Sequence, residues 1–162
     1  MEPLIVLLTT FIISLFAVKL IHAEYKFALP GRIAMSAMLV FTSIGHFLYT
    51  NGMAMMMPDF IPYKTEMVYF TGVIEIAAAI GLHISRLRVL TAWLLILFFV
   101  LILPANIKAS VDHVDYQKAT FDGNGLAYLW FRIPLQILFI VWTYLCAIKS
   151  GNAEISTLKE NN

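Results

Sequence analysis

An all-α membrane helix bundle is the fold class this sequence predicts, and three observations predict it. Of its 162 residues, 60% are hydrophobic and only 13% are charged. Mean hydropathy is +0.82. The apolar residues gather into runs at about 3–22, 32–50, 67–84, 89–107 and 127–148. A soluble domain averages about 45–50% apolar and about 25% charged residues, whereas each of these runs approaches the ~20 residues that cross a ~30 Å hydrocarbon core as a helix. The runs lack two-residue alternation and are too long for strands, so five helical spans are expected.

The first run follows Met1-Glu2-Pro3, which supplies no positive segment, and Lys19 and His22 stand where a signal peptide would carry small residues; it is read as a retained helix. The second run holds His46 and the third holds Glu75. The fourth carries Asn106 just after Pro104, and the fifth carries Arg132 with Gln136 one turn on. Residues 51–66 are too apolar for a solvated loop, and Pro58 and Pro62 oppose a continuous helix, so a surface-lying or re-entrant segment is expected there. Residues 108–126 read as a polar loop with a turn at Gly123 and Gly125, and the tail 149–162 is polar.

Lys19, Lys26, Arg32, Arg86, Arg88, Lys149 and Lys159 fall on one side of five spans, against Lys64, Lys108, Lys118 and Arg132 on the other. The positive-inside rule makes the first side cytoplasmic, with the N-terminus outside and the C-terminus inside. A net charge of +1 without a Lys/Arg run excludes nucleic acid as a partner class, and the single Cys146 excludes an internal dithiol pair. The lipid bilayer is the partner that the composition names.

An ionisable side chain inside a span costs about 2.5–3.5 kcal/mol near the centre and calls for a partner or a task. At about 1.5 Å of rise per residue, His46 lies roughly 6 Å, Arg132 roughly 8 Å and Glu75 roughly 12 Å below the outer boundary. With Asn106 and Gln136 they form one outer layer drawn from four helices. Around Glu75, Thr71, Gly72, Ala78 and Ala79 recur at helical spacing as a small-residue stripe fit for close packing. The layer admits a ligand or proton site, with Glu75 within reach of an Arg132 ion pair, and equally a polar lock that fixes helix register. Met53, Met55, Met56 and Met57 beside His46 offer soft thioethers to Cu(I), although adaptable packing is the commoner use of methionine; no cofactor motif is evident.

The blocks GHFLYTNGMAMMMPDFIP, TGVIEIAAAIGL, FFVLILPANI and FRIPLQILFIVWTY, in this order, resemble the DoxX family of small bacterial membrane proteins over about residues 31–146. The matching positions are Gly45, His46, Pro58, Pro62, Gly72, Glu75, Pro104, Asn106, Arg132 and Gln136. The resemblance implies a four-helix membrane domain over 31–148, with residues 1–30 an added N-terminal helix and short inner loop, in the inner (plasma) membrane of a bacterium. It further implies an accessory subunit of a redox or quinone-linked membrane assembly, with membrane-protein partner subunits and a quinone as a ligand to consider. Its other branch implies a non-catalytic assembly or structural factor. Either way the isolated chain leans away from enzymatic activity.

Overall fold

The computed structural model describes residues 2–22 and 27–150. Seven α-helices follow one another: α1 (Glu2–His22), α2 (Ala28–Leu48), α3 (Thr50–Met56), α4 (Lys64–Gly81), α5 (Arg88–Leu101), α6 (Leu103–Val111) and α7 (Leu126–Thr143), the last continuing into a π-helical turn, Tyr144–Lys149. No strand occurs among the described residues; the nearest feature is an isolated bridge between Asp115 and Thr120. The polar tail beyond residue 150 and residues 23–26 lie outside the described residues.

Four stretches are long and apolar enough to cross a membrane: Glu2–Ile21, Ala28–Leu48, Arg88–Val111 and Leu126–Lys149. The third expected run, about residues 67–84, falls within α4, which is not among these four. This helix has 18 residues, enough for about 27 Å, but Lys64, Glu66 and Glu75 make it the most polar of the long helices. It lies against α2, which buries Gly72, Glu75, Ala78 and Ala79 together on one face.

Proline and packing explain the interruptions. Pro104 sits in the first turn of α6, where its missing N–H leaves the preceding turn without one hydrogen bond, and the helix of the fourth run breaks at Ile102. The segment expected to be surface-lying or re-entrant contains α3, which ends at Met56 just before Pro58. A Cβ on Gly52 would collide with the backbone of Tyr116, so this glycine lets α3 seat against the 112–125 connection. That connection is ordered: Asp115 and Thr120 exchange backbone hydrogen bonds of 2.8 and 3.3 Å, the Asp115 carboxylate accepts the backbone N–H of Gln117 at 3.0 Å, and the Ser110 hydroxyl donates to the Gly125 carbonyl.

The core runs along α2, with Met35, Met38 and Leu39 meeting Ala78, Ala79 and Leu82 near α4 and Ala92, Leu95 and Phe99 from α5. Helix α1 packs on α2 through Leu7 and is pinned to α7 by Phe11, whose ring meets Trp142 edge-on at 4.8 Å. The large apolar side chains on the outer faces, such as Ile13, Val73, Leu94 and Val141, stay exposed, as a lipid-facing surface requires.

Candidate functional site

Where α2 ends and α4 and α7 begin, the bundle does not close. A cavity of about 280 Å³ opens there, and all five residues of the expected polar layer, His46, Glu75, Asn106, Arg132 and Gln136, line it. Its remaining walls are largely apolar and aromatic, including Met38, Phe41, Phe98, Phe99, Leu135 and Phe139.

Helix contact brings His46 and Glu75 together. A Cβ on Gly72 would sit 3.0 Å from the Cβ of His46, so the glycine allows α4 to approach α2 closely and delivers Glu75 three residues later. Glu75 is 5% exposed, and its Oε2 lies 3.5 Å from His46 Nε2. That is ion-pair distance, and Oε2 has no hydrogen-bond partner among the described residues. On the other side of the ring, His46 Nδ1 is 3.1 Å from the Thr71 hydroxyl oxygen. Thr71 spends its one O–H on the Val68 carbonyl at 2.8 Å. Its oxygen can therefore only accept from Nδ1, and the network assigns the hydrogen to Nδ1. Nε2 is left facing the carboxyl group.

The expected Glu75–Arg132 ion pair is corrected: the ion-pair partner of Glu75 is His46. Arg132 is half-buried, lines the cavity and makes neither a hydrogen bond nor an ion pair among the described residues. Its guanidinium acts electrostatically on Tyr116, a phenol pushed above the usual range chiefly by burial, next by Tyr128.

Asn106 and Gln136 behave differently. Asn106 is 3% and Gln136 7% exposed. Gln136 Nε2 donates to the Phe99 carbonyl, which lies just before the break at Ile102. Asn106 Nδ2 donates to Gln136 Oε1 at 3.5 Å, and Tyr128 donates its hydroxyl to Asn106 Oδ1 at 3.5 Å. This chain ties α7 to the broken α5–α6 helix. The polar layer thus divides into a satisfied pair, Asn106 and Gln136, and an unsatisfied trio, His46, Glu75 and Arg132.

Of the four methionines considered as thioether ligands, Met53, Met56 and Met57 line the cavity and Met55 does not. Among the described residues no group of three or more His, Cys, Asp or Glu side chains is placed to hold a metal ion. Sequence reasoning missed Tyr49, Tyr116 and Glu2 as cavity residues. Tyr116 enters from the connection between α6 and α7, outside every motif in the chain, and its ring meets Tyr49 edge-on at 6.1 Å; no spacing signal marks it.

An ionic clasp ties α6 to the segment between α3 and α4. Lys108 Nζ donates to Asp112 at 2.6 Å and to the Met55 carbonyl at 3.5 Å, and lies 3.9 Å from Asp59, which Lys64 also reaches at 2.7 Å. The Lys64 hydrogen bond, then the charge of Lys108, hold the Asp59 carboxyl below its usual range. On the α2 side the wall is one side chain thick: Phe41, Ile44 and Leu48 line the cavity and are also exposed on the outer surface.

A family model described as Domain of unknown function (DUF8561) matches residues 35–147, well over half of the chain. The chain belongs to this family. The DUF8561 match runs from Met35 within α2 through most of the π-helical turn, and so includes every residue of the polar layer, while α1 precedes it. No curated protein and no solved structure matches the chain.

Proposed function

We propose that this protein is a membrane ligand-binding bundle whose cavity takes a small amphipathic molecule. One observation supports this most: polar side chains from α2, α4, α6 and α7 converge on open space of about 280 Å³ instead of packing solidly against one another. A buried polar lock would satisfy its members, since an unpaired buried group costs about 1–3 kcal/mol. His46, Glu75 and Arg132 are left with bonding capacity directed at whatever occupies the cavity.

In this reading the cavity faces the outer leaflet of a bacterial inner (plasma) membrane, with the N-terminus outside and the C-terminus cytoplasmic, as the Lys/Arg distribution argues. The DoxX resemblance supports a role as an accessory subunit in a redox or quinone-linked assembly with partner membrane proteins, and places a quinone among the ligands to try. Glu75 and His46 would exchange a proton with the ligand head, and Arg132 would hold it.

Protein in phosphatidylcholine nanodiscs, titrated with decylubiquinone and with 1-octanol, tests both levels. Saturable binding of either probe, abolished by Met53→Trp, which fills the cavity from its rim, is the expected result. Quinone binding that also needs Glu75 carries the redox-linked role. Absence of saturable binding by any amphipathic probe ends the ligand-site reading.

The bonds made by Gln136 and Asn106 favour a second, complementary reading for those two residues: they lock α7 to the break in α5–α6. An assembly or structural factor needs no more than such a lock. It leaves the unsatisfied trio without a task.

A further inference from the structure

Resting on the reading of the cavity as a ligand site, we infer that its ligand is a small amphipathic anion, with its acidic head on Arg132 and its apolar body among the aromatic walls. The inference stands on the residual charge and hydrogen-bonding capacity of the cavity. Arg132 is a permanent cation that lines the cavity without an ion pair or hydrogen bond among the described residues. In apolar surroundings its charge is poorly screened and attracts an anion far more strongly than it would in water.

Glu75 does not cancel that charge. With Nδ1–H fixed by Thr71, an unprotonated Nε2 and an ionised Oε2 would present lone pairs to each other across 3.5 Å. One proton held between them removes that conflict. Whether it resides on nitrogen or oxygen, the pair is then neutral, as imidazolium with carboxylate or imidazole with carboxylic acid. The other titratable and charged groups around the cavity are Glu2, Tyr49, Tyr116, Tyr128 and Arg132. Glu2 is exposed at the rim, and the three phenols are neutral when protonated. The deep part of the cavity therefore carries one uncompensated positive charge.

The unpartnered Glu75 Oε2, nine-tenths buried and more, borders the same space. The apolar walls, from Met38 and Phe41 to Phe98 and Phe139, match a short acyl or ring-bearing body, whereas a small hydrated inorganic anion would leave them wet.

The test uses the full chain in phosphatidylcholine nanodiscs at neutral pH, with binding measured by calorimetry against empty discs. Three probes share one tail length: octanoate, 1-octanol and octylammonium. Octanoate should bind at least about tenfold more tightly than octanol, with octylammonium weakest. Arg132→Gln should abolish the octanoate advantage while octanol binding persists, and Arg132→Lys should restore part of it. Equal binding of octanoate and octanol, or a preference for octylammonium, overturns the anion while the ligand cavity stands. Failure of all three probes to bind overturns both. Should Arg132→Gln fail to fold, the ranking of the three probes on the unaltered chain decides.

Discussion

Gln136 and Glu75 sit in the same polar layer, yet the structure assigns them opposite energetic positions. Gln136 donates to the Phe99 carbonyl and accepts from Asn106; Glu75 has one oxygen without a hydrogen-bond partner. Their substitutions should separate accordingly. Gln136→Leu should destabilise the bundle by about 1–2 kcal/mol, the range of interhelical hydrogen bonds in membranes, measured by reversible denaturant unfolding in mixed micelles. Glu75→Gln should leave the unfolding midpoint close to that of the unaltered chain, because it removes no satisfied bond of that oxygen; a loss as large as that of Gln136→Leu would make Glu75 part of the lock. At this scale the sequence was informative about membership and silent about pairing. Depth along the helices placed His46, Glu75, Asn106, Arg132 and Gln136 in one layer, and they share one cavity. Which side chain faces which depends on helix rotation and on the approach of α4 to α2, so the partner of Glu75 proved to be His46 and not Arg132.

Among the elements, the close contact of α2 with α4 controls the site. Gly72 sets its spacing, since any side chain there meets His46 and Phe47. Gly72→Val should push α4 outward, costing about 1–3 kcal/mol as overpacking does, and should separate Glu75 from His46. Double electron–electron resonance between spin labels on the two helices should report a longer distance, and an unchanged distance would mean that another contact sets the spacing. The element pattern was legible where hydropathy carried it, in the long helices, whereas the break of the fourth run at Ile102 and the short α3 were not read from the sequence. It was less legible in α4, where Lys64, Glu66 and Glu75 dilute a helix that buries one narrow face, and in residues 112–125, whose fold depends on local turns and on Gly52 accepting Tyr116 at close range. No periodicity reports contacts of that kind.

Taken whole, the molecule is a membrane helix bundle closed by packed apolar side chains along its length and open at one end, where the 112–125 connection and α3 cover the cavity. Its proposed orientation puts that end outside the cell. With Cys146 replaced by Ala, Lys118→Cys should react with a membrane-impermeant maleimide added to intact spheroplasts; Lys118 is exposed in the connection over the cavity. Labelling only after lysis would reverse the orientation and place the cavity toward the cytoplasm. The charge asymmetry that carries this orientation is a sequence property, whereas the cavity depends on which side chains fail to meet, a property no single run of residues encodes.

The thin wall formed by Phe41, Ile44 and Leu48 has a thermodynamic consequence. These side chains line the cavity and are exposed at the helix surface where hydrocarbon would lie. A ligand that arrives through this wall is drawn from the bilayer reservoir, so occupancy follows its mole fraction in lipid and not its concentration in bulk water. Two molecules with the same head and different tails would then differ in apparent aqueous affinity by their partition coefficients, about 0.8 kcal/mol per methylene, while binding equally well when dose is counted per lipid.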